Sequence, residues 1–307
     1  MNHFTMGVFC FVQILLFGCA GWHNPGKTGS DDRWVPPDLV LQVEQLDKKL
    51  AENSGLIFFR NKLWTINDSG GEPEIYAFNS LTGRILQIIR IDDARNRDWE
   101  DIAQDRDCIY AGDIGDNFGG RDKLTIYKIS KKQIPLTGNK KVKAEKIDFS
   151  FTDKTGKFNL RQHNTHDCEA FFVCNDTIFL FTKNWQEQTT SMYCLPAHQG
   201  TYQVSATAHF NADGLVTGAD ISENGDFMII LGYKDYIPFI WLFYDYRYPD
   251  FFKGNRLRMD FPGYLELQTE GIAIRDAGTV YISCEGGTFP PQLYTIDLSG
   301  IINNRMK

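Results

Sequence analysis

Three glutamates recur in one local pattern in this chain and are its strongest candidates for chemistry. A small or acidic pair followed by apolar residues appears as Ser54-Gly55-Leu56-Ile57, Glu100-Asp101-Ile102-Ala103 and Glu169-Ala170-Phe171-Phe172. It returns, more loosely, as Thr217-Gly218-Ala219-Asp220, and then as Glu270-Gly271-Ile272-Ala273. The leading positions are 46, 69, 48 and 53 residues apart. If the repeats are equivalent, Ser54, Glu100, Glu169, Thr217 and Glu270 form one ring. Three carboxylates on one narrow axis cannot all stay ionised uncompensated. Some protonate, or basic side chains reach in, or a cation binds. Carboxylate oxygens, hydroxyls and water suit a hard ion such as Ca²⁺, with Glu100, Glu169 and Glu270 as its ligands. The competing reading makes the same glutamates fasteners that accept hydrogen bonds from backbone amides of the neighbouring repeat.

A second polar set lies some 10 residues after each copy: Asn67 and Asp68, Asp113 with Asp116 and Asn117, Lys183 and Asn184, Tyr233 and Lys234, and Glu285. From it, Asp68, Asp113, Asp116, Asn117, Lys183 and Glu285 are the candidate ligand-binding residues, because loops at one end of a rigid scaffold usually carry function. Lys183 reads first as the counter-charge to nearby carboxylates. Asp98, His166 and Asp167 are the candidate acids or bases beside the ring. His163 and His166 are three apart, but no helix is expected there to put them on one face. Trp99, within Asp98-Trp99-Glu100-Asp101, reads as a packing residue. The chain has no HExxH, no Walker A loop, no GxSxG elbow and no Rossmann fingerprint.

The elements that position these residues follow from the same repeat. Each copy is an apolar strand followed by a second, at 63–66, 108–111, 177–182, 227–231 and 279–283. Between them lie turn residues such as Asn175-Asp176 and Asn224-Gly225, which tolerate tight hairpins. Third strands with a central aromatic fit 74–78, 124–129, 191–195, 239–244 and 292–296. Fourth strands fit 85–91, 146–151, 206–210 and 255–260. Four antiparallel strands per repeat is the pattern of a propeller blade. The fold class is therefore all-β: a single β-propeller of five blades. A sixth blade would require two strands within 152–165, which read as polar loop. The fifth repeat runs out of chain, so 39–43 is expected to supply its last strand and close the ring.

The chain has 307 residues, 42% of them apolar and 14% aromatic, with formal net charge −7. That charge disfavours nucleic acid, whose phosphates need a basic surface. Residues 6–18 are apolar but too short to span a bilayer. They end in Leu16-Phe17-Gly18-Cys19, which resembles the lipobox of bacterial lipoproteins, where the Cys is acylated and becomes the new N-terminus. The expected organisation is a signal peptide at 1–18, a flexible tether at 19–35, a propeller at 36–300 and a tail at 301–307. Lipidation at Cys19 would place the protein on the bacterial cell envelope, on its periplasmic side or at the cell surface. Outside this segment Cys108, Cys168, Cys174, Cys194 and Cys284 sit in apolar runs. They read as buried free thiols.

Asp98-Trp99-Glu100-Asp101-Ile102-Ala103 and Gly112-Asp113-Ile114-Gly115-Asp116-Asn117, with Ser54-Gly55-Leu56 before and Glu270-Gly271-Ile272-Ala273 after, carry a resemblance. They resemble the secreted bacterial propellers of the phytase-like (esterase-like) and SdiA-regulated families. The likeness is nearest to uncharacterised propeller lipoproteins. It spans about residues 50–297 and is specific for architecture rather than activity. By analogy with calcium propellers of the gluconolactonase type, it implies an axial Ca²⁺ at Glu100, Glu169 and Glu270. The functional expectation is a ligand-binding or envelope-associated module that takes a small molecule, saccharide or protein at the channel mouth. The alternatives are a metal-dependent hydrolase of a lactone, ester or phosphoester, and a glycoside hydrolase.

Overall fold

The structure is a computed structural model that describes residues 39–155, 164–262, 268–287 and 289–306. The lipobox, Cys19 and His163 lie outside the described residues.

Each repeat folds as one antiparallel blade. Blade 1 holds β2 (Asn53–Phe59), β3 (Lys62–Asn67), β4 (Glu74–Phe78) and β5 (Ile85–Asp92). Blade 2 holds β6 (Trp99–Gln104), β7 (Cys108–Asp113), β8 (Leu124–Ser130) and β10 (Glu145–Phe151). Blade 3 holds β11 (Asp167–Cys174), β12 (Thr177–Lys183), β13 (Thr190–Pro196) and β15 (Ala208–Phe210). Blade 4 holds β16 (Leu215–Ile221), β17 (Phe227–Lys234), β18 (Ile237–Tyr244) and β19 (Asn255–Asp260). Blade 5 holds β20 (Thr269–Ile274), β21 (Thr279–Cys284) and β22 (Gln292–Asp297). Its fourth strand is β1 (Val40–Gln45), which pairs antiparallel with β22. The first and last strands among the described residues thus close the ring in one blade, as expected.

Burial explains the strand sequences. A blade is covered on both faces by its neighbours, so its middle strands lose polar alternation. In β17 seven of eight residues are buried, as are seven of eight in β18. Alternation returns in the outer strand β5, where only every second residue, Gln87, Ile89 and Ile91, is buried. Five separate apolar clusters fill the five gaps between blades. The cluster between blades 3 and 4 is aromatic, with Phe172, Phe179, Phe181, Trp241, Phe243 and Phe251 among its members. Trp99 is wholly buried between blades 1 and 2, with its Nε1 donating to Arg95 O at 3.0 Å. The helix α1 (Ser299–Arg305) inserts Ile302 into the cluster of blades 4 and 5.

Two strands lie outside the sequence expectation. β9 (Lys140–Lys143) pairs parallel with β5 of blade 1, and β14 (Gly200–Val204) pairs parallel with β10 of blade 2. Each is a short stretch just before an outer strand of the next blade. Only Val142 is buried in β9, so the segment carries no apolar pattern to read. No helix among the described residues is long and apolar enough to cross a membrane. The five cysteines of the propeller are free; Cys168 and Cys284 are buried and the other three half-buried.

Candidate functional site

Four of the five innermost strands break register at the ring position itself, and β2 breaks just after it. β6 pairs Trp99 with Asp113 and Asp101 with Gly112, leaving Glu100 unmatched. The same shift leaves Glu169 in β11, Thr217 in β16 and Glu270 in β20 without a partner across the ladder. In β2 Ser54 keeps its partner Ile66 and the break takes in Gly55 and Leu56; Gly55 has φ +68°. A bulge adds one residue to one strand and re-aims its side chain. Here it lets alternate residues keep the blade core while the extra one turns inward. Gly55 is required: a Cβ there would lie 2.5 Å from Ile102 N of the next blade.

The ring divides by residue type. Ser54 donates to Glu100 O, and Thr217 donates to Thr269 O at 2.6 Å, so the two hydroxyls fasten neighbouring blades. The carboxylate fasteners are Asp101 and Asp220. Asp101 accepts from Phe171 N at 2.8 Å, and Asp220 from Ile274 N at 2.7 Å. The fastening expected of the glutamates is thus carried by residues one and three positions further on. Glu100, Glu169 and Glu270 instead line a cavity of about 530 Å³.

That cavity opens at the end of the propeller where second strands finish and inner strands begin. Of the candidate ligand-binding residues, Asp68, Asn117, Lys183 and Glu285 line it, together with Tyr233 and Lys234. Lys183 is 4% exposed, and its Nζ stands 3.2 Å from Glu169 Oε2. Burial opposes the ammonium's charge, but Glu169 and Glu270 hold its pKa well above the ordinary lysine value. Glu270 accepts from Gln268 Nε2 at 2.8 Å through Oε1, while its buried Oε2 has no hydrogen-bond partner. Burial pushes Glu270 up to about 7, and burial together with the Glu270 charge pushes Glu285 up to about 9.

A different trio converges most tightly. Asp68, Asp98 and Glu100 each present a carboxylate oxygen within 4.8 Å of the others. Burial is the first cause in all three; after it the Asp98 charge raises Asp68, Asp167 raises Asp98, and Glu169 with Asp68 and Asp98 raises Glu100, leaving Asp68 and Asp98 at about 6 and Glu100 well above its usual value. Ca²⁺ bonds oxygen at about 2.3–2.6 Å, so one ion spans oxygens about 5 Å apart. The trio fits that span. Glu100 therefore keeps company with residues of blades 1 and 2, while Glu169 directs Oε2 to Lys183.

The Gly112–Asn117 motif builds the wall around this trio. Ile114 N and Gly115 N both donate to Asp98 O at 3.1 Å. A Cβ on Gly115 would overlap Glu100 Oε1 and lie 2.7 Å from the Asp98 carboxylate. Asp113 and Asp116 support this loop instead of facing the cavity. Asp113 pairs with Arg121 at 2.8 Å; Asp116 pairs with Lys154 and accepts from Arg121 N at 3.0 Å. Asp167 is wholly buried beneath it, accepting from Asp116 N at 2.8 Å and Trp185 Nε1 at 3.1 Å. His166 lies away from the cavity lining. Its ring packs on Phe151 and Tyr193, with Nε2 3.3 Å from Asp153. Of the expected acids and bases, only Asp98 joins the carboxylate trio.

Trp185, Gln188, Tyr236 and Gln268 also line the cavity and were not singled out from the sequence. Trp185 and Gln268 each sit two residues from a candidate, Lys183 and Glu270. Tyr236 gave no signal except as an aromatic beside the candidate strand end Tyr233-Lys234.

No family model matches this chain, and no curated protein matches it. Solved structures do. A hypothetical protein from Leishmania major is 11% identical with TM-score 0.47, covering 84% of this chain and 90% of its own. A glucose dehydrogenase is 8% identical with TM-score 0.47, covering 82% and 98%. Kuenenia stuttgartiensis hydrazine synthase is 8% identical with TM-score 0.39; the match covers 75% of this chain and spans 61% of that one.

Proposed function

We propose that this propeller is a small-molecule-binding module of the cell envelope that takes its ligand at the channel mouth through a hard divalent cation of the Ca²⁺ class. Asp68, Asp98 and Glu100 hold the ion. The observation that carries this reading is the convergence of three carboxylate oxygens within the span of one such ion. The unpartnered Oε2 of Glu270 in the same cavity supports it, because a buried acceptor without a donor is costly unless something binds it. The lipobox-like Leu16-Phe17-Gly18-Cys19 supports a membrane tether through acylated Cys19.

Terbium luminescence tests the ion site. Trp185 lines the same cavity and would sensitise a bound lanthanide. Wild type is expected to bind Tb³⁺ and to release it to Ca²⁺, and Asp98→Asn to bind neither. A wild-type protein that shows no sensitised emission, and whose melting is indifferent to Ca²⁺, defeats the reading.

A second reading, cation-dependent hydrolysis of a lactone, ester or phosphoester, is favoured by Glu285. A carboxyl held near 9 keeps its proton at neutral pH and is equipped to act as a general acid beside the ion. Turnover of such esters that is lost in both Asp98→Asn and Glu285→Gln distinguishes it from binding alone.

A further inference from the structure

The five loops around the mouth are unequal. Second and third strands are joined by residues 68–73, 114–123, 184–189 and 285–291 in blades 1, 2, 3 and 5, but by only Asp235 and Tyr236 in blade 4. Of these five connections blade 4's is the shortest, and both of its residues line the cavity. Its turn is also unusual in composition. Both residues have left-handed backbone, φ +50° and +63°, the geometry that usually selects Asn-Gly or Asp-Gly. A bulky residue at the second place is an outlier, and such outliers are a pointer to function.

Tyr236 is 64% exposed and lines the cavity. It lies parallel to the Tyr233 ring, 10° apart with centroids at 6.3 Å. Tyr233 is buried at the end of β17, so a rigid strand backs the exposed ring. An aromatic plate thus stands at the blade 4 side of the mouth, above a floor of carboxylates and the amides of Asn117, Gln188 and Gln268.

We propose that the mouth takes a saccharide, whose hydroxyls reach the cation and the carboxylates and whose apolar ring face lies on Tyr236. This rests on the cation reading for the polar half of the contact and on Tyr236 for the other half. Charge selects among flat ligands. The lining holds six carboxyl groups against Lys183 and Lys234, so a polyanion finds little counter-charge there beyond the ion itself. An organic cation meets a place already filled: the Lys183 ammonium lies 4.7 Å from the Trp185 ring and 5.9 Å from that of Tyr233. A neutral polyhydroxylated ring bears neither penalty. It has the two-sided chemistry the mouth offers, with C–H groups on its faces and hydroxyls on its edge. A cavity of 530 Å³ is of small-molecule size, and the short connection at blade 4 lets a longer chain extend outward.

The test is an array of neutral and acidic oligosaccharides, probed with Ca²⁺ present, alongside Tb³⁺ titration and binding of tetramethylammonium. Wild type is expected to bind a subset of neutral glycans. Tyr236→Ala is expected to bind them about tenfold more weakly, with Tb³⁺ affinity unchanged, and Tyr236→Phe to keep them. Tyr236→Gly suits the backbone and is expected to fold at least as well as wild type while binding like the alanine variant. Tb³⁺ binding without any glycan binding overturns the saccharide proposal and leaves the ion site standing. So does glycan binding indifferent to Tyr236, or capture of tetramethylammonium instead. Glycan binding that depends on Tyr236 but needs no ion supports the saccharide and removes the cation. Binding of neither ion nor glycan ends both.

Discussion

Glu270→Gln should make this protein more stable, and only above mildly acidic pH. Glu270 is 3% exposed, Gln268 supplies its single hydrogen bond, and its other oxygen is unpaired. Its pKa rises from 4.5 to about 7 on folding. The native state therefore holds this proton more tightly than the unfolded chain does, and stability falls as pH climbs through that window. Below 4.5 both states are protonated and nothing is lost. Above about 7 the native state bears the whole penalty, about 3–4 kcal/mol at 1.4 kcal/mol per unit. Glutamine keeps the acceptor facing Gln268 and carries no charge to desolvate. Urea unfolding near pH 4 and near pH 8.5 reads the difference. The variant should match wild type at the lower pH and exceed it by about 3–4 kcal/mol at the higher. An equal gain at both pH values, or a loss at the higher, refutes the argument. A gain would also identify Glu270 as a residue that the fold tolerates at a cost in stability.

Asp101→Ala orphans the Phe171 amide between blades 2 and 3 and is expected to cost about 2 kcal/mol in equilibrium unfolding. Gly115→Ala drives a methyl into Glu100 and Asp98; Tb³⁺ affinity is expected to fall on the order of tenfold, with calorimetry as the check. His166→Ala removes ring packing on Phe151 and Tyr193, so about 1 kcal/mol of stability should go while Tb³⁺ affinity holds.

The blades were legible because their pattern is strongly repeated. The strand 255–260, the central aromatics and the closing strand near residue 40 are where periodicity puts them. β9 and β14 were not, since short polar strands on an outer edge bury almost nothing that composition can register. The ring positions were also legible, but their division of labour was not. Asp101 and Asp220 occupy places where the repeat shows Ala170, Gly271 or an apolar residue, and only the bulge geometry reveals that their carboxylates cross to the next blade. Likewise Asp68 and Asp98, on separate blades, come together with Glu100 only once the blades close. His166 was misleading because it sits beside Asp167 in the chain while its ring points to the Phe151 side.

The two parallel strands make the ring mechanically uneven. Through β9, blade 2 stitches itself to blade 1; through β14, blade 3 stitches itself to blade 2; and β1 knots blade 5 to the chain that leads into blade 1. Blade 4 has no such stitch among the described residues: apolar and aromatic contacts and the short bonds of Thr217 and Asp220 join it to its neighbours. Breathing of the wheel should therefore concentrate on the spoke that bears Tyr236. In amide exchange, the edges of β16 and β19 would trade deuterium sooner than those of β6 and β10, so that the softest sector of the scaffold is also the side of its mouth with the shortest connection.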